Sequence, residues 1–200
     1  MNYLAHAYLS FNIPEILVGN MISDYVKGKK QFDYPTNIQK GIQLHRAIDA
    51  FTDAHAVTKQ AKQYLYPAVG TYCGAFVDVV YDHFLAIDKM QFATNEHLQT
   101  VATSCYDILN INYNLLPEKF ANMLPYMQQQ NWLYNYQFLW GIEKSFEGVT
   151  WRAKYLSSYG TAFELFEKHY VALQNCYAEF FPSLKAMAVE VLEANQFILQ

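Results

Sequence analysis

The sequence predicts an all-α fold, a single helical domain that spans residues 1–200 with about seven helices. Apolar residues recur at three- and four-residue steps nearly throughout, whereas the strict alternation of a half-buried strand is scarce. Glycine and proline number only eight and six, which argues against a chain of many tight turns. We find no internal repeat, low-complexity tract or linker-like stretch, and 200 residues suffice to bury the core of one domain.

The individual helices are predicted from periodicity and from their end signals. Residues 37–53, 71–88 and 158–181 show helical spacing, and Thr94 is suited to cap a helix that continues to about residue 110. The best strand candidate, residues 64–69, is interrupted by Pro67. Four other prolines lie where a helix could begin, because the first turn tolerates the missing amide: Pro14, Pro35, Pro117 and Pro182.

The composition argues against several classes of protein. No apolar run reaches the ~18 residues of a membrane span, and no basic segment precedes an apolar stretch near residue 1, so no secretory signal is expected. The three cysteines are far apart and outside any CxxC pair, which disfavours a disulfide framework or a zinc-thiolate site. We therefore expect small buried thiols in a reducing compartment, the cytoplasm.

The charge is unevenly distributed. The net charge is −4, yet residues 27–62 carry seven bases and three acids. A basic third in an acidic protein suits an anionic ligand or partner, although a solvated mixed-charge surface explains it equally well. Nucleic acid is a poor candidate, because the isoelectric point is about 5.8 and no recognised binding motif is present.

Ionisable residues are concentrated in a few short blocks of otherwise apolar sequence. Positions four apart on a helix face the same way, about 5–6 Å apart at Cβ, so His45 and Asp49 form one ladder and Asp78 and Asp82 another. Buried acids at this density cost of the order of several kcal/mol each unless a positive charge lies between them. The blocks contain His6; Asp24; His45, Asp49 and Asp53; and Asp78, Asp82 and His83.

Two arrangements could neutralise these acids. Arg46 and other bases could pair with them, or a divalent cation such as manganese, iron, zinc or magnesium could be held by imidazole and carboxylate ligands. The bases are too few to pair every acid, which favours the cation. Structural alternatives stay open: His6 as a core histidine bonded to a carbonyl, Asp53 and His55 as a helix end, and Asp78 as a carboxylate that orients a ligand.

Four blocks in order resemble the acyl carrier protein phosphodiesterase family, the bacterial acyl carrier protein hydrolases. They are MNYLAHAYLS, GNMISDYVKG, GIQLHRAIDAFTD and VDVVYDHFLA, which lie within residues 1–86. Beyond residue 86 only helical character and length agree. The resemblance implies an all-helical, HD-domain-like fold and removal of 4′-phosphopantetheine from holo-acyl carrier protein to give the apo form. It also implies a divalent cation, with Mn²⁺ favoured and Mg²⁺ or Fe²⁺ as alternatives.

Carried onto this sequence, the resemblance implies a set of site residues. Arg46 is expected to hold the phosphodiester, with His6 and Asp78 close by. Our own hypothesis from the acid and histidine pattern is that His6 gives a proton to the leaving serine oxygen. The usual HD order of an adjacent His-Asp pair is absent, because residues 82 and 83 are the reverse dipeptide. The metal-ligand candidates are Asp24, His45, Asp49, Asp82 and His83.

The implied partner is acyl carrier protein, a strongly acidic protein. The basic third is expected to steer it to the site, which predicts weaker binding at high salt. One alternative is a phosphohydrolase of the same fold that acts on a nucleotide or another small phosphate ester. Another is a non-catalytic helical protein that binds an acidic partner; the oligomeric state stays open. The partner-binding candidates are Lys27, Lys29, Lys30, Lys59 and Lys62.

Overall fold

The computed structural model describes residues 1–197 and contains no strand within them, which confirms the all-α prediction. The expected count of about seven helices was too low, since α1 and α8, of six and four residues, are too short to show a periodic pattern. The described α-helices are α1 (Tyr3–Tyr8), α2 (Pro14–Ile22), α3 (Thr36–Ala54), α4 (Ala56–Val69), α5 (Cys73–Ile87), α6 (Asn95–Ile111), α7 (Glu118–Gln129), α8 (Trp132–Asn135), α9 (Leu139–Arg152), α10 (Gly160–Lys168) and α11 (Tyr170–Ala194). Short 3₁₀ turns lie at Ser23–Tyr25, Gly28–Asp33, Gly70–Tyr72 and Tyr113–Leu115.

Most of the predicted helix signals are confirmed. Helices α3, α5 and α6 match the periodic stretches, and the Thr94 hydroxyl caps α6 by accepting a hydrogen bond from the His97 amide at 3.1 Å. Pro14 is the first residue of α2, while Pro35 and Pro117 directly precede α3 and α7. These three prolines therefore begin helices as the sequence indicates.

The weak strand candidate, residues 64–69, belongs to α4, in agreement with the all-α prediction; Leu65 and Val69, four residues apart, are both buried, as one face of a helix requires. Two expectations about the chain are corrected. The predicted helix 158–181 is two helices that meet at His169, and the second continues to Ala194. Pro182 therefore lies inside α11 and does not begin a helix, since the long buried face of α11 compensates for one missing hydrogen bond.

The buried side chains form one hydrophobic cluster that includes residues of nearly every helix. Helix α5 runs through its centre and packs against α1, α4, α9 and α11. All three cysteines are buried and unpaired, in agreement with the prediction. Among the described helices, none combines the length and the apolar character that crossing a membrane requires.

Two glycines allow α2 and α3 to cross at close range. A Cβ atom at Gly19 would overlap the carbonyl oxygen of Ile38, and one at Gly41 would overlap that of Ile16. Only a residue without a side chain lets the two backbones approach this closely. The crossing places Asn20 of α2 against His45 of α3, and it therefore sets the geometry of the site described below.

Replacing Gly41 by alanine is expected to destabilise the protein by about 1–3 kcal/mol, because a methyl group there forces α2 and α3 apart. Urea denaturation of the variant measures the loss. Gly148→Ala is the matched control: Gly148 lies inside α9 with open space around its Cβ position, so alanine should stabilise the helix by about 0.5–1 kcal/mol. Equal stability of the two variants would contradict the role of the crossing.

Candidate metal centre

Three segments bring two histidines and two acids together. His6 lies on α1, Asp24 in the 3₁₀ turn after α2, and His45 and Asp49 one turn apart on α3. The rings of His6 and His45 stack with centroids 3.9 Å apart and are only 3% and 5% exposed. Asp49 and Asp24 are more open, with 41% and 72% of their side chains exposed. The cluster is therefore buried on its histidine side and open to solvent on its carboxylate side.

The ring nitrogens and carboxylate oxygens converge on one small space. His45 Nε2 lies 3.1 Å from Asp49 Oδ2 and 3.2 Å from Asp24 Oδ1. His6 Nε2 lies 3.3 Å from the other Asp49 oxygen, Oδ1. One ligand atom from each of His6, His45 and Asp49 can be chosen so that all lie within 4.8 Å of one another. This spacing allows one cation to touch all three residues.

Asn20 fixes the orientation of both histidine rings. His6 Nδ1 lies 2.8 Å from the Asn20 side-chain oxygen, and His45 Nδ1 lies 2.7 Å from the Asn20 backbone oxygen. The Asn20 side-chain amide donates to the His6 carbonyl and to Ser10 Oγ, which sets the orientation of that amide. A carbonyl oxygen only accepts, so each Nδ1 carries a proton. The Nε2 of each ring is then the atom left to bind a proton or a cation.

The space between the Nε2 atoms and the carboxylates requires positive charge. Burial opposes a charge on His45, but hydrogen bonds to Asp24 and Asp49 outweigh it and raise its pKa to about 9. Burial and the neighbouring His45 lower the pKa of His6 to about 4. Without a metal, one proton on His45 therefore partly neutralises the carboxylates.

The surroundings of His6 Nε2 show whether these residues fit a metal. It is buried and makes no hydrogen bond to any residue of the described structure. Metal-binding histidines commonly donate their second ring N–H to a carbonyl or carboxylate, and both rings do so here through Asn20. A set of two imidazoles and carboxylates suits Mn²⁺, Fe²⁺ or Zn²⁺. The residues present fit a divalent cation.

Comparison with known proteins identifies the family. The family model described as acyl carrier protein phosphodiesterase matches residues 1–184. The chain belongs to this family. The resemblance carried by four blocks within residues 1–86 is thus confirmed and extends over most of the chain.

Curated relatives match over nearly their whole length. Proteins named acyl carrier protein phosphodiesterase from Pectobacterium atrosepticum and Klebsiella pneumoniae are each 30% identical to this chain, over 188 and 192 residues. One of the same name from Yersinia pestis is 29% identical over 188 residues. In all three cases the match covers 94% of this chain and 97% of the relative. No solved structure matches significantly.

Asp78 lies beside the cluster and contacts it through the Met1 amino group. This amino group lies 3.1 Å from Asp78 Oδ1 and 3.5 Å from Asp49 Oδ1. Burial lowers the pKa of the amino group, but the two carboxylates outweigh burial and raise it to about 10. Asp78 therefore adds negative charge next to Asp49, as a neighbour of the cluster.

Asp82 was expected to be a metal ligand, and the structure gives it another role. Its fully buried carboxylate accepts hydrogen bonds from the amides of Asn2, Leu4 and Ala5 at 3.2, 2.7 and 3.3 Å. Amides at the start of a helix have no acceptor within the helix itself. Asp82 supplies that acceptor and so anchors α1, which carries His6. Burial raises the pKa of Asp82 to about 7, against the effect of the Met1 amino group and the three amides.

His83 was also expected to be a ligand, and the structure separates it from the cluster. Neighbouring residues on a helix point about 100° apart, so Asp82 and His83 cannot both face α1. His83 Nδ1 donates to the Tyr136 carbonyl at 2.7 Å, and its Nε2 accepts from the Tyr170 hydroxyl at 2.8 Å. Burial lowers the pKa of His83, which keeps this ring neutral.

Arg46 was expected to hold the phosphodiester, but its guanidinium is engaged elsewhere. It donates to the Gln31 side chain at 2.7 Å and to the Val26 carbonyl at 3.1 Å. Arg46 follows His45 directly and so points away from the side of α3 that carries the cluster. It ties α3 to the segment of residues 26–31, which includes three of the predicted partner-binding lysines.

The remaining predicted residues occupy the surface near α3 and α4. Lys27, Lys29 and Lys30 are exposed in the segment that follows Asp24, and Lys59 is exposed on α4. Lys62 forms an ion pair with Asp53 at 2.6 Å. His55 ends α3 and caps α4 by accepting from the Val57 amide, in agreement with the helix-end alternative. The basic third thus includes an exposed lysine segment that begins next to the cluster.

Sequence reasoning missed the role of Asn20. The residue was visible in GNMISDYVKG, four positions before Asp24, but its importance depends on where two other helices place their histidines. A fully buried asparagine is unusual, because its amide must find several partners inside the protein. The burial of Asn20 is the signal that identifies its role, and only the folded structure reveals it.

Proposed function

We propose that this protein is a metal-dependent phosphodiesterase that removes 4′-phosphopantetheine from holo-acyl carrier protein and returns the apo form. The observation that carries the proposal is the convergence of two histidine Nε2 atoms and two carboxylates on one space that is open on a single side. The names of the relatives supply the substrate class. Mn²⁺ is the favoured cation, with Mg²⁺ or Fe²⁺ as alternatives.

His6, His45 and Asp49 would hold the cation, with Asp24 at the open edge. When bound, a divalent cation supplies Lewis-acid activation of water and neutralises charge on a phosphodiester. The hydrogen bond to His45 lowers the pKa of Asp24, so at neutral pH its exposed carboxylate can accept a hydrogen bond from a water at that edge. With its pKa lowered to about 4, His6 carries no proton on Nε2 at neutral pH, so we propose it as a ligand in place of the expected general acid.

Two finer points belong to the same proposal. The distant relation to HD-domain phosphohydrolases is retained, with ligands drawn from α1, the 23–25 turn and α3 in place of an adjacent His-Asp pair. The cytoplasm is the proposed compartment, which agrees with three buried and unpaired thiols.

The proposal is tested by incubating the purified protein with holo-acyl carrier protein and Mn²⁺, and by following the released 4′-phosphopantetheine by mass spectrometry. An EDTA-treated sample is the control. Metal-dependent conversion to the apo form is expected. Hydrolysis of only bis(p-nitrophenyl) phosphate would favour an enzyme acting on small phosphate esters. No hydrolysis and no metal binding would favour a non-catalytic protein that binds an acidic partner.

Reversing one charge in the exposed lysine segment is expected to weaken recognition of the acidic substrate. Lys27→Glu should raise KM for holo-acyl carrier protein about severalfold at low ionic strength, with kcat unchanged and the difference shrinking as salt is added. Lys168→Glu is the matched control, because Lys168 is also exposed but lies on α10, outside the exposed lysine segment that follows Asp24. Equal KM values for the two variants would remove the steering role of the segment.

A further inference from the structure

A large groove opens between the start of α1 and the helices α8 and α9. Its volume is about 830 Å³, within the range of sites that bind small molecules. Three tryptophans line it: Trp132, Trp140 and Trp151. Trp140 and Trp151 are 55% and 89% exposed, although large aromatic side chains usually bury most of their surface. Burial in the hydrophobic core therefore does not explain these two rings.

Helix α1 connects one end of the groove to the candidate metal centre. Asn2 and Tyr3 line the groove, and His6 lies on the same short helix. The Tyr3 hydroxyl lies 3.1 Å from that of Tyr25, the residue directly after Asp24. Burial and the Tyr25 hydroxyl hold the pKa of Tyr3 well above its usual range; Asp24 raises it further, and Arg152 has a smaller lowering effect. Tyr3 therefore connects the lining of the groove to the turn that carries Asp24.

The polar groups of the groove suit an uncharged chain that carries amides and hydroxyls. Three side-chain amides, of Gln129, Gln130 and Asn135, and the Ser145 hydroxyl line the groove. Gln130 Oε1 accepts from Trp132, Asn135 Nδ2 donates to the Gln130 carbonyl, and Ser145 Oγ donates to the Gly141 carbonyl. The Gln129 amide, Gln130 Nε2 and Asn135 Oδ1 are therefore the amide groups left for a ligand among the described residues. Arg152 also lines the groove and makes no ion pair with the described residues, whereas Lys144 is paired with Glu147 at 2.9 Å. The groove thus combines donors and acceptors with aromatic surface.

We propose that this groove binds the pantetheine arm of the substrate while the phosphodiester lies at the metal centre. The inference rests on the proposed function, since it takes its ligand from it. The arm is an extended chain with two amides, a hydroxyl, geminal methyl groups and a terminal thiol. The tryptophan rings cover its apolar segments, the amide side chains pair with its amides, and Arg152 donates to its oxygens near Tyr3.

The test measures binding apart from catalysis. Calorimetric titration of 4′-phosphopantetheine into the full chain, in EDTA, should show saturable binding. The double variant Trp140→Ala with Trp151→Ala should bind about tenfold more weakly or worse, because it removes both exposed rings that would cover the arm. Tyr66→Ala is the control: Tyr66 is 56% exposed on α4 and does not line the groove, so its removal should leave binding unchanged.

A second variant blocks the groove without removing a core contact. Gly148 lines it and has open space at its Cβ position, so Gly148→Phe should fold and should obstruct the arm. Absent binding, binding unaffected by both variants, or a dimer that depends on the two tryptophans would overturn the inference. Tryptophan-dependent binding without hydrolysis of holo-acyl carrier protein would support the groove and contradict the proposed function. Hydrolysis of holo-acyl carrier protein together with tryptophan-independent binding would support the proposed function and contradict the groove.

Discussion

Replacing Asp49 by asparagine is expected to reduce hydrolysis of holo-acyl carrier protein by about a thousandfold or more, which corresponds to ~4 kcal/mol of lost transition-state stabilisation. Asp49 contributes one oxygen toward His6 and the other toward His45, at 3.3 and 3.1 Å. Asparagine preserves the shape but removes the charge, and its amide nitrogen cannot bind a cation. The measurement is steady-state release of 4′-phosphopantetheine with saturating Mn²⁺.

The fold should survive this substitution, because the Asp49 side chain is 41% exposed and asparagine has nearly the same shape. Circular dichroism and thermal melting verify this. Asp53→Asn is the matched control: Asp53 lies one turn further along α3 and pairs with Lys62 at the surface. Near-normal turnover by Asp49→Asn, or equal losses in both variants, would refute the assigned role of the cluster.

Replacing Asn20 by leucine is expected to weaken Mn²⁺ binding about 10–100-fold and to lower the free energy of unfolding by about 2–5 kcal/mol. Leucine has a similar size, but it removes the acceptor that holds His6 Nδ1 and the donor that serves the His6 carbonyl and Ser10. Buried groups that lose their partners carry the full cost of desolvation. Competition with a fluorescent Mn²⁺ chelator and urea denaturation measure the two effects.

Ser23→Ala is the control for Asn20→Leu. Ser23 is also buried between α2 and α3, and it makes one long hydrogen bond, of 3.4 Å, to the Ile42 carbonyl without touching either histidine. It should lose little stability and no metal affinity. If Asn20→Leu bound Mn²⁺ as tightly as Ser23→Ala does, the histidines would not depend on Asn20 for their orientation.

Local rules predicted the part of the site that lies on α3 and beside it. The i, i+4 relation of His45 and Asp49 follows from helix geometry alone, and the structure places both on one side of the cluster. Asp24 and His6 were found because polar residues stood out in apolar blocks. Each of these four predictions needed only periodicity and the cost of buried charge.

The candidates that the structure does not bring into the cluster depended on tertiary structure. Asp82 and His83 share a block, but the helix turns them to different neighbours, one toward the start of α1 and one toward Tyr136 and Tyr170. The direction in which each residue faces becomes known only when the neighbours of α5 are known. Arg46 shows the same limit, because its partners Gln31 and Val26 lie in a 3₁₀ segment without a periodic signal.

The most direct test of the metal centre is pulsed electron paramagnetic resonance on the protein loaded with one equivalent of Mn²⁺. The geometry predicts electron spin-echo modulation from two histidine nitrogens, Nε2 of His6 and of His45, with the signal lost in the Asp49→Asn variant. Mn²⁺ that stays free in solution, or that binds without histidine modulation, would contradict the assignment of this cluster as the site that holds the catalytic cation.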